Sequence, residues 1–241
     1  MMNPHPELEN MLMVQIVASA MDVLNYHLRD DNSFWIKCPI NGHYNLDFDS
    51  FEKFYDGLKK HRFQNSRMES SKYTDIIALN SKSLVDLILD ANKWADNFPT
   101  IISKAEILRV LEAGLLESRS GSLQLIYQKM HILSPIISPR EYILLQHCQQ
   151  IKIGMWVIVN VSYNKFEGSD RSYSSTYYWN HPSGWMIEEL PNGFSKVTCI
   201  EHVEVDDDFQ VHPIYKNSVK STLGFGAKRW HFREHANIFL I

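Results

Sequence analysis

Apolar positions recur at helical spacing near the start of the chain. Leu8, Met11, Leu12, Ile16, Ala20, Val23, Leu24 and Leu28 predict an amphipathic helix over about 7–29. Pro4 and Pro6 open it, and Asp30-Asp31-Asn32 closes it. Phe34-Trp35-Ile36 is a short strand candidate. Residues 47–60, with Phe48, Phe51 and Phe54, read as a short helix or loop, and 66–78 as a strand. A second helix is capped by Asn80 or Ser83, the latter forming a capping box with Asp86. Its apolar face runs through Leu84, Leu87, Ile88, Ala91, Trp94 and Phe98, and Pro99 stops it.

Beyond that point the pattern changes to strands over 103–113, 122–133, 140–149 and 154–163, punctuated by Gly121, Ser134-Pro135, Pro139 and Gly154. The polar stretch 164–183 reads as an exposed connection. A hairpin follows, from Trp185–Leu190 through Pro191-Asn192-Gly193 to 195–205. On its return strand, Val197, Cys199, Glu201, Val203 and Val205 share one face; Lys196, Thr198, Ile200, His202 and Glu204 share the other. A final helix is predicted from near Pro213, with Ile214, Val219, Leu223, Ala227 and Trp230 on its apolar side. Helices segregated from a long antiparallel meander give the α+β class, read as one domain over 1–241 with a core over about 7–236.

Composition narrows the classes. The chain has 241 residues, 44% of them hydrophobic, which is enough for a packed core. A formal charge of −4 lacks the basic footprint of a nucleic-acid binder. Three scattered cysteines, Cys38, Cys148 and Cys199, make neither a disulfide framework nor a zinc spacing. No apolar run reads as a membrane span, and MLMVQIVASA at 11–20 lacks the basic flank of a signal peptide.

Candidate chemistry is thin. His231-Phe232-Arg233-Glu234-His235 spells a zinc-hydrolase motif, but only six residues follow for a third ligand. Gly224-Phe225-Gly226 lies in a helical pattern with no strand leading into it, so it reads as packing rather than a phosphate loop. His147 and Cys148 are strand neighbours that point to opposite faces. Glu201 interrupts an apolar strand face. It is either wetted at a sheet edge or a polar group in a cavity, with Arg67 as a partner.

Several blocks resemble one family. Pro182–Thr198 (PSGWMIEELPNGFSKVT), Ile200–Asp207 (IEHVEVDD) and Leu223–Trp230 (LGFGAKRW) look like the START domain of plant class IV homeodomain-leucine zipper proteins. Asn80–Trp94, Arg140-Glu141-Tyr142 and Trp156–Ser162 match the same pattern, so the resemblance spans about 7–236. It implies a helix-grip fold: a curved antiparallel sheet wrapped around a long C-terminal helix and enclosing an apolar tunnel for a lipid or sterol. It also implies a nuclear, non-catalytic regulatory domain without a cofactor, part of a longer protein that is a possible homodimer. DNA contact would belong to a homeodomain absent from this chain. The alternative is a protein-interaction or dimerisation module with a collapsed tunnel.

The resemblance further implies tunnel walls at Trp94, Leu125, Tyr127, Leu144, Trp156, Ile158 and Phe225, with Arg67, Lys129, Gln146 and Glu201 as polar groups. START domains commonly place a carboxylate opposite an arginine on adjacent cavity strands. Here Lys129 aligns with the acidic position and Gln146 with the arginine. Two readings follow: a head-group preference shifted towards an anionic lipid, or a Lys129 that snorkels to the tunnel rim.

Overall fold

The computed structural model describes residues 6–29, 34–37, 44–54, 66–134, 137–163, 177–206 and 224–230. In chain order the elements are α1 (Pro6–Leu28), β1 (Trp35–Lys37), β2 (Tyr44–Leu46), α2 (Phe48–Phe54) and β3 (Arg67–Ile77). Helices α3 (Ser81–Leu89) and α4 (Ala91–Asn97) lead into β4 (Ile102–Glu112), β5 (Ser122–Met130), β6 (Arg140–Lys152) and β7 (Met155–Ser162). β8 (Tyr177–Asn180), β9 (Ser183–Glu189) and β10 (Ser195–Asp206) complete a 10-stranded antiparallel sheet of order β1-β2-β3-β10-β9-β7-β6-β5-β4, with β8 also on β10.

Alternation along the strands gives the sheet two buried faces. On the convex face, α1 buries Met13, Val17, Met21, Leu24 and Leu28 against Leu123, Leu125, Leu145, Val157, Val159 and Ile200. α1 has the length and mean hydropathy (1.2) of a membrane-crossing helix, which the sequence reading had denied to every segment. Its buried stripe on the sheet accounts for that apolarity as core packing. On the concave face, α3 and α4 pack Leu84, Leu87, Ile88 and Trp94 towards Leu144, Trp156, Ile158, Trp185 and Ile187.

The single helix expected before Pro99 is two. Asp90 adopts an extended conformation (φ −98°, ψ 108°), and its carboxylate caps α4 by accepting from the Asn92 and Lys93 amides. Asn80, not Ser83, caps α3, with its Oδ1 2.8 Å from the Ser83 nitrogen. The connection read as exposed over 164–183 contains β8, and Asn180, His181 and Ser183 are buried. Residues 224–230, assigned to the final helix, form a turn and one 3₁₀ turn, Ala227–Arg229. Gly226 is extended there (φ −86°, ψ 170°) and breaks the helical period. Positions 213–223 and the His231–His235 motif lie outside the described residues.

One ion pair spans the concavity. Arg140, at the start of β6 and 0% exposed, donates from Nη1 to Glu69 Oε2 (2.7 Å) and from Nη2 to Oε1 (3.0 Å). Glu69 is on β3, four strands away in the sheet order. Strands four apart in a flat sheet would lie roughly 19 Å from each other. The two side chains meet only because the sheet curls. On the directly paired strands β9 and β7, Gly184 (φ 149°) leaves no room for a side chain, since a Cβ would sit 1.9 Å from the Ile158 carbonyl oxygen.

Where α1 ends, three imidazoles gather. The His202 ring lies 5.8 Å from His27 and 5.1 Å from His181, and His27 stacks at 4.4 Å on Phe51. His181 Nε2 is 3.2 Å from Glu204 Oε2, and Lys72 Nζ donates to the His27 carbonyl at 3.1 Å. No ring nitrogen of His27 or His202 has a hydrogen-bond partner among the described residues. Burial, reinforced by Lys72, pulls the His27 pKa down to about 4; burial also pulls His202 well below its ordinary value.

Four outcomes are expected. Glu69→Leu strands the buried Arg140 cation and costs about 3–5 kcal/mol in urea unfolding. Arg140→Met costs less, because Arg67 Nη2 still reaches Glu69 Oε1 at 2.7 Å; equal losses would contradict the geometry. Gly184→Ala destabilises by at least about 3 kcal/mol, read from the thermal midpoint. For His27 the folded pKa lies below the unfolded value of 6.5, so only the unfolded chain takes up the proton as pH falls between them. Stability present above pH 6.5 is therefore lost towards pH 4, by about 3 kcal/mol for this group. The difference in unfolding free energy between the wild type and His27→Phe should track that window, and a flat difference would refute the assignment.

Candidate functional site

The site grows from side chains that alternate onto the concave face. β5 sends Gln124, Ile126, Gln128 and Met130 inward, and β6 sends Tyr142, Leu144, Gln146 and Cys148. β7 adds Trp156, Ile158 and Asn160, β9 adds Trp185 and Ile187, and β10 adds Val197, Cys199, Glu201, Val203 and Val205. Among them lies a cavity of about 10 Å³, near the size one water needs. Gln128, Tyr142, Asn160, Asn180, Ser183 and Glu201 supply its polar lining; Met130, Leu144 and Trp185 supply its apolar lining. A larger, open cleft of about 330 Å³ lies on the convex side, between α1 and β4–β6.

Hydrogen bonds fix most of the polar wall. The Asn180 amide donates to Ser162 Oγ (2.8 Å), and its side chain to the carbonyls of Asn160 and His181 (both 3.1 Å). Ser183 Oγ accepts from the His202 amide at 2.9 Å and donates to the His181 carbonyl at 2.9 Å. Two lining atoms, Asn160 Oδ1 and Trp185 Nε1, have no hydrogen-bond partner among the described residues. Glu201 Oε1 accepts from Trp230 Nε1 at 2.7 Å. Burial pushes the Glu201 carboxyl up to about 7, with the Trp230 bond and the Arg140 charge pulling the other way.

The segment 224–230 closes this face. Trp230 packs on Trp94 (4.7 Å between rings) and Phe98 (5.3 Å), and Phe225 lies 3.8 Å beneath the Arg140 guanidinium. The Ala227 amide donates to Ser71 Oγ at 2.8 Å. Arg229 donates to the carbonyls of His131, Gly224 and Thr100. These contacts tie the segment to β3, β10, α4 and the β5–β6 connection.

Seven of the eleven residues named from the sequence belong to this wall or its cover: Trp94, Leu144, Gln146, Trp156, Ile158, Glu201 and Phe225. Arg67 shares the β3 face with Glu69 and is bonded to it through Nη2 (2.7 Å) and Nε (3.2 Å); it is not the bonded partner of Glu201, which is Trp230. Three residues face the other way. Leu125 packs under α1, Tyr127 is half-buried on that same side, and Lys129 pairs at the surface with Glu141 (2.9 Å). The expectation treated odd positions of β5 as lining, whereas even positions line, a one-residue slip that exchanges the two faces.

Gln146 keeps its predicted side but has a different neighbour. Its Oε1 accepts from Gln124 Nε2 at 2.7 Å, and Gln124 also donates to the Leu89 carbonyl at 2.9 Å. Lys129, aligned with the family's acidic position, does not face Gln146, which is aligned with its arginine; Gln124 faces Gln146, and Glu141 faces Lys129. Arg140, Glu69, Asn160, Asn180 and Ser183 were not singled out. Asn160 had a visible signal, a polar side chain in phase with Trp156 and Ile158 within an apolar run. The Arg140–Glu69 pairing joins residues 71 apart and left none.

Neither described thiol is poised to react. Burial pushes Cys148 up to about 12 and Cys199 well above its ordinary value. Among the described residues no three His, Cys, Asp or Glu side chains form a metal-binding group.

Comparison with known proteins gives the geometry its context. The sequence model for the START domain matches residues 15–237. The homeobox-leucine zipper protein HDG8 of Arabidopsis thaliana is 35% identical over 228 residues, covering 94% of this chain and 32% of that protein. The homeobox-leucine zipper protein ROC8 of Oryza sativa subsp. japonica is 31% identical over 234 residues, covering 94% of this chain and 33% of that protein. The chain thus spans about a third of the length of the curated relatives it matches. Among solved structures, human StAR-related lipid transfer protein 5 superposes with a TM-score of 0.66 at 12% identity, over 95% of this chain and 99% of that one. Human STARD10 gives a TM-score of 0.50 at 12% identity, over 79% of this chain and 78% of that one. With its curled antiparallel sheet, its closing segment and a family match over nearly its whole length, the chain belongs to the START-domain family, with the α+β helix-grip fold.

Proposed function

We propose that the chain is a non-catalytic, lipid- or sterol-binding regulatory domain of a nuclear homeodomain-leucine zipper transcription factor. The observation that carries this reading is the concave wall itself. It is apolar over Met130, Leu144, Ile158 and Trp185, with a small polar end at Asn160, Ser183 and Glu201. That division suits a ligand with an apolar body and a compact head. The lipid-transfer proteins that share the fold support it, as do the homeobox-leucine zipper relatives. DNA contact and dimerisation are proposed for parts of the protein beyond this chain.

A lipid does not fit in about 10 Å³. Admission therefore needs the cover formed by 224–230 to lift, breaking the Trp230–Glu201 bond and parting Trp230 from Trp94. Ligand that binds the opened form then stabilises the domain by mass action. The same small volume favours a second reading, a protein-interaction module whose wall is filled by its own side chains.

Native mass spectrometry of the purified chain, incubated with a total plant lipid extract, separates the two. Lipid-mass adducts that raise the thermal midpoint are expected. A bare mass across all lipid classes, with the chain folded by circular dichroism, would favour the interaction module. Trp230→Ala should increase adduct yield by removing the latch.

A further inference from the structure

The open cleft of about 330 Å³ on the convex side is built from an apolar floor with charged corners. Val14, Val17, Ala18 and Met21 from α1 and Leu123 from β5 make the floor. Val14 is 51% exposed, and Met11, just before it on the helix, is 60% exposed. Single exposed apolar side chains are ordinary, but a run of them leading into a formed cleft marks an interaction surface. Val14 and Asp22 both line the cleft and are eight residues apart on α1, about 12 Å along the helix.

The polar groups have one electrostatic character. Asp22 on α1 and Glu112 at the end of β4 are exposed carboxylates, and neither has an ion-pair partner among the described residues. His147 donates from Nδ1 to the Ser122 carbonyl at 2.8 Å. Burial lowers its pKa, so the ring is neutral and Nε2 is an acceptor. No lysine or arginine lines the cleft. An anionic ligand or an anionic bilayer would meet two like charges here. An uncharged apolar molecule would leave both carboxylates unanswered. The complement is an apolar stripe flanked by cations, and a helix two to three turns long has the right length to present one.

We propose that this cleft docks a basic amphipathic helix of a partner protein. The aliphatic stripe of that helix packs on Val14, Ala18 and Leu123, and a lysine or arginine on each flank pairs with Asp22 and Glu112. The surface lies on the opposite face of the sheet from the concave wall, so it does not depend on what that wall holds.

The test uses a fluorescein-labelled synthetic helix of about 14 residues, with leucines on one face flanked by lysines, titrated with the purified chain and read by anisotropy. The controls are the same helix with glutamate for lysine, and a scrambled peptide of the same composition without an apolar face. The leucine–lysine helix is expected to bind at least about tenfold more tightly than either. Asp22→Asn combined with Glu112→Gln should weaken it severalfold and flatten its salt dependence. Two exposed neighbours on α1 locate the contact. Ala18→Arg fills the cleft and offers its own cation to the carboxylates, so it should abolish binding. Ser19→Arg adds the same charge outside the lining and should leave binding and the thermal midpoint unchanged. Absence of saturable binding, equal binding of the scrambled peptide, or equal loss in both arginine variants overturns the proposal. So does a wild-type dimer in sedimentation that Ala18→Arg splits, which assigns the cleft to a second copy. Stabilisation by hexylammonium chloride without any peptide binding assigns it to a small cation and overturns the partner helix as well.

Discussion

The hydrogen-bonded ion pair between Glu69 and Arg140 clamps the curl of the sheet, and the inner face is built around it. It reaches from β3 to β6 across the hollow of the sheet, so the sheet can have only one depth there. That depth determines what can lie inside. Phe225 slides beneath the same guanidinium, and Tyr178 flanks it at 5.4 Å, so the pair also positions the closing segment. A buried ion pair contributes little net stability after desolvation. Its value here is geometric, since an apolar pair of equal volume would not hold two distant strands at a fixed separation and orientation.

A curved sheet buried on both faces makes register decisive. The helix α1 lies on the convex side with an apolar face, and the concave side is largely apolar as well, so β5 and β6 are mixed runs with apolar residues at both odd and even positions and glutamines on the inner face. Such a run does not declare which alternate residues point which way. Where the sequence had a clear alternation, on β10, both faces were read correctly, and Glu201 was recognised as an intruder on the inner one. Where alternation was blurred, on β5, Leu125, Tyr127 and Lys129 were placed on the wrong side. Strand bounds themselves were legible within a few residues because Gly121, Gly154 and the Asn192-Gly193 turn mark them.

Longer-range features were not legible for a different reason. Asp90 ends one helix and begins another, yet its neighbours keep the apolar period across the break, so propensity alone joins them. The closing segment looked helical because Leu223, Ala227 and Trp230 fall at helical spacing. Tertiary contacts instead claim that stretch: Ser71 takes the Ala227 amide and Glu201 takes the Trp230 indole. Only partners distant in sequence decide such cases, and a single chain read by pattern does not contain them.

The distribution of charge then has one coherent physical consequence. Among the described residues, the arginines near the inner wall are engaged: Arg140 by Glu69, Arg67 by the same carboxylate, and Arg229 by three carbonyl oxygens. On facing positions of β5 and β6, Gln124 and Gln146 bond one another and carry no charge. What remains toward the cavity is one carboxyl whose pKa is raised to about 7 and neutral donors and acceptors. In a low-dielectric hollow, each hydrogen bond to such a wall is stronger than in water, and each unmet one costs more. Because Glu201 Oε1 is tied to Trp230, any other donor to that oxygen has to displace the indole of the closing segment.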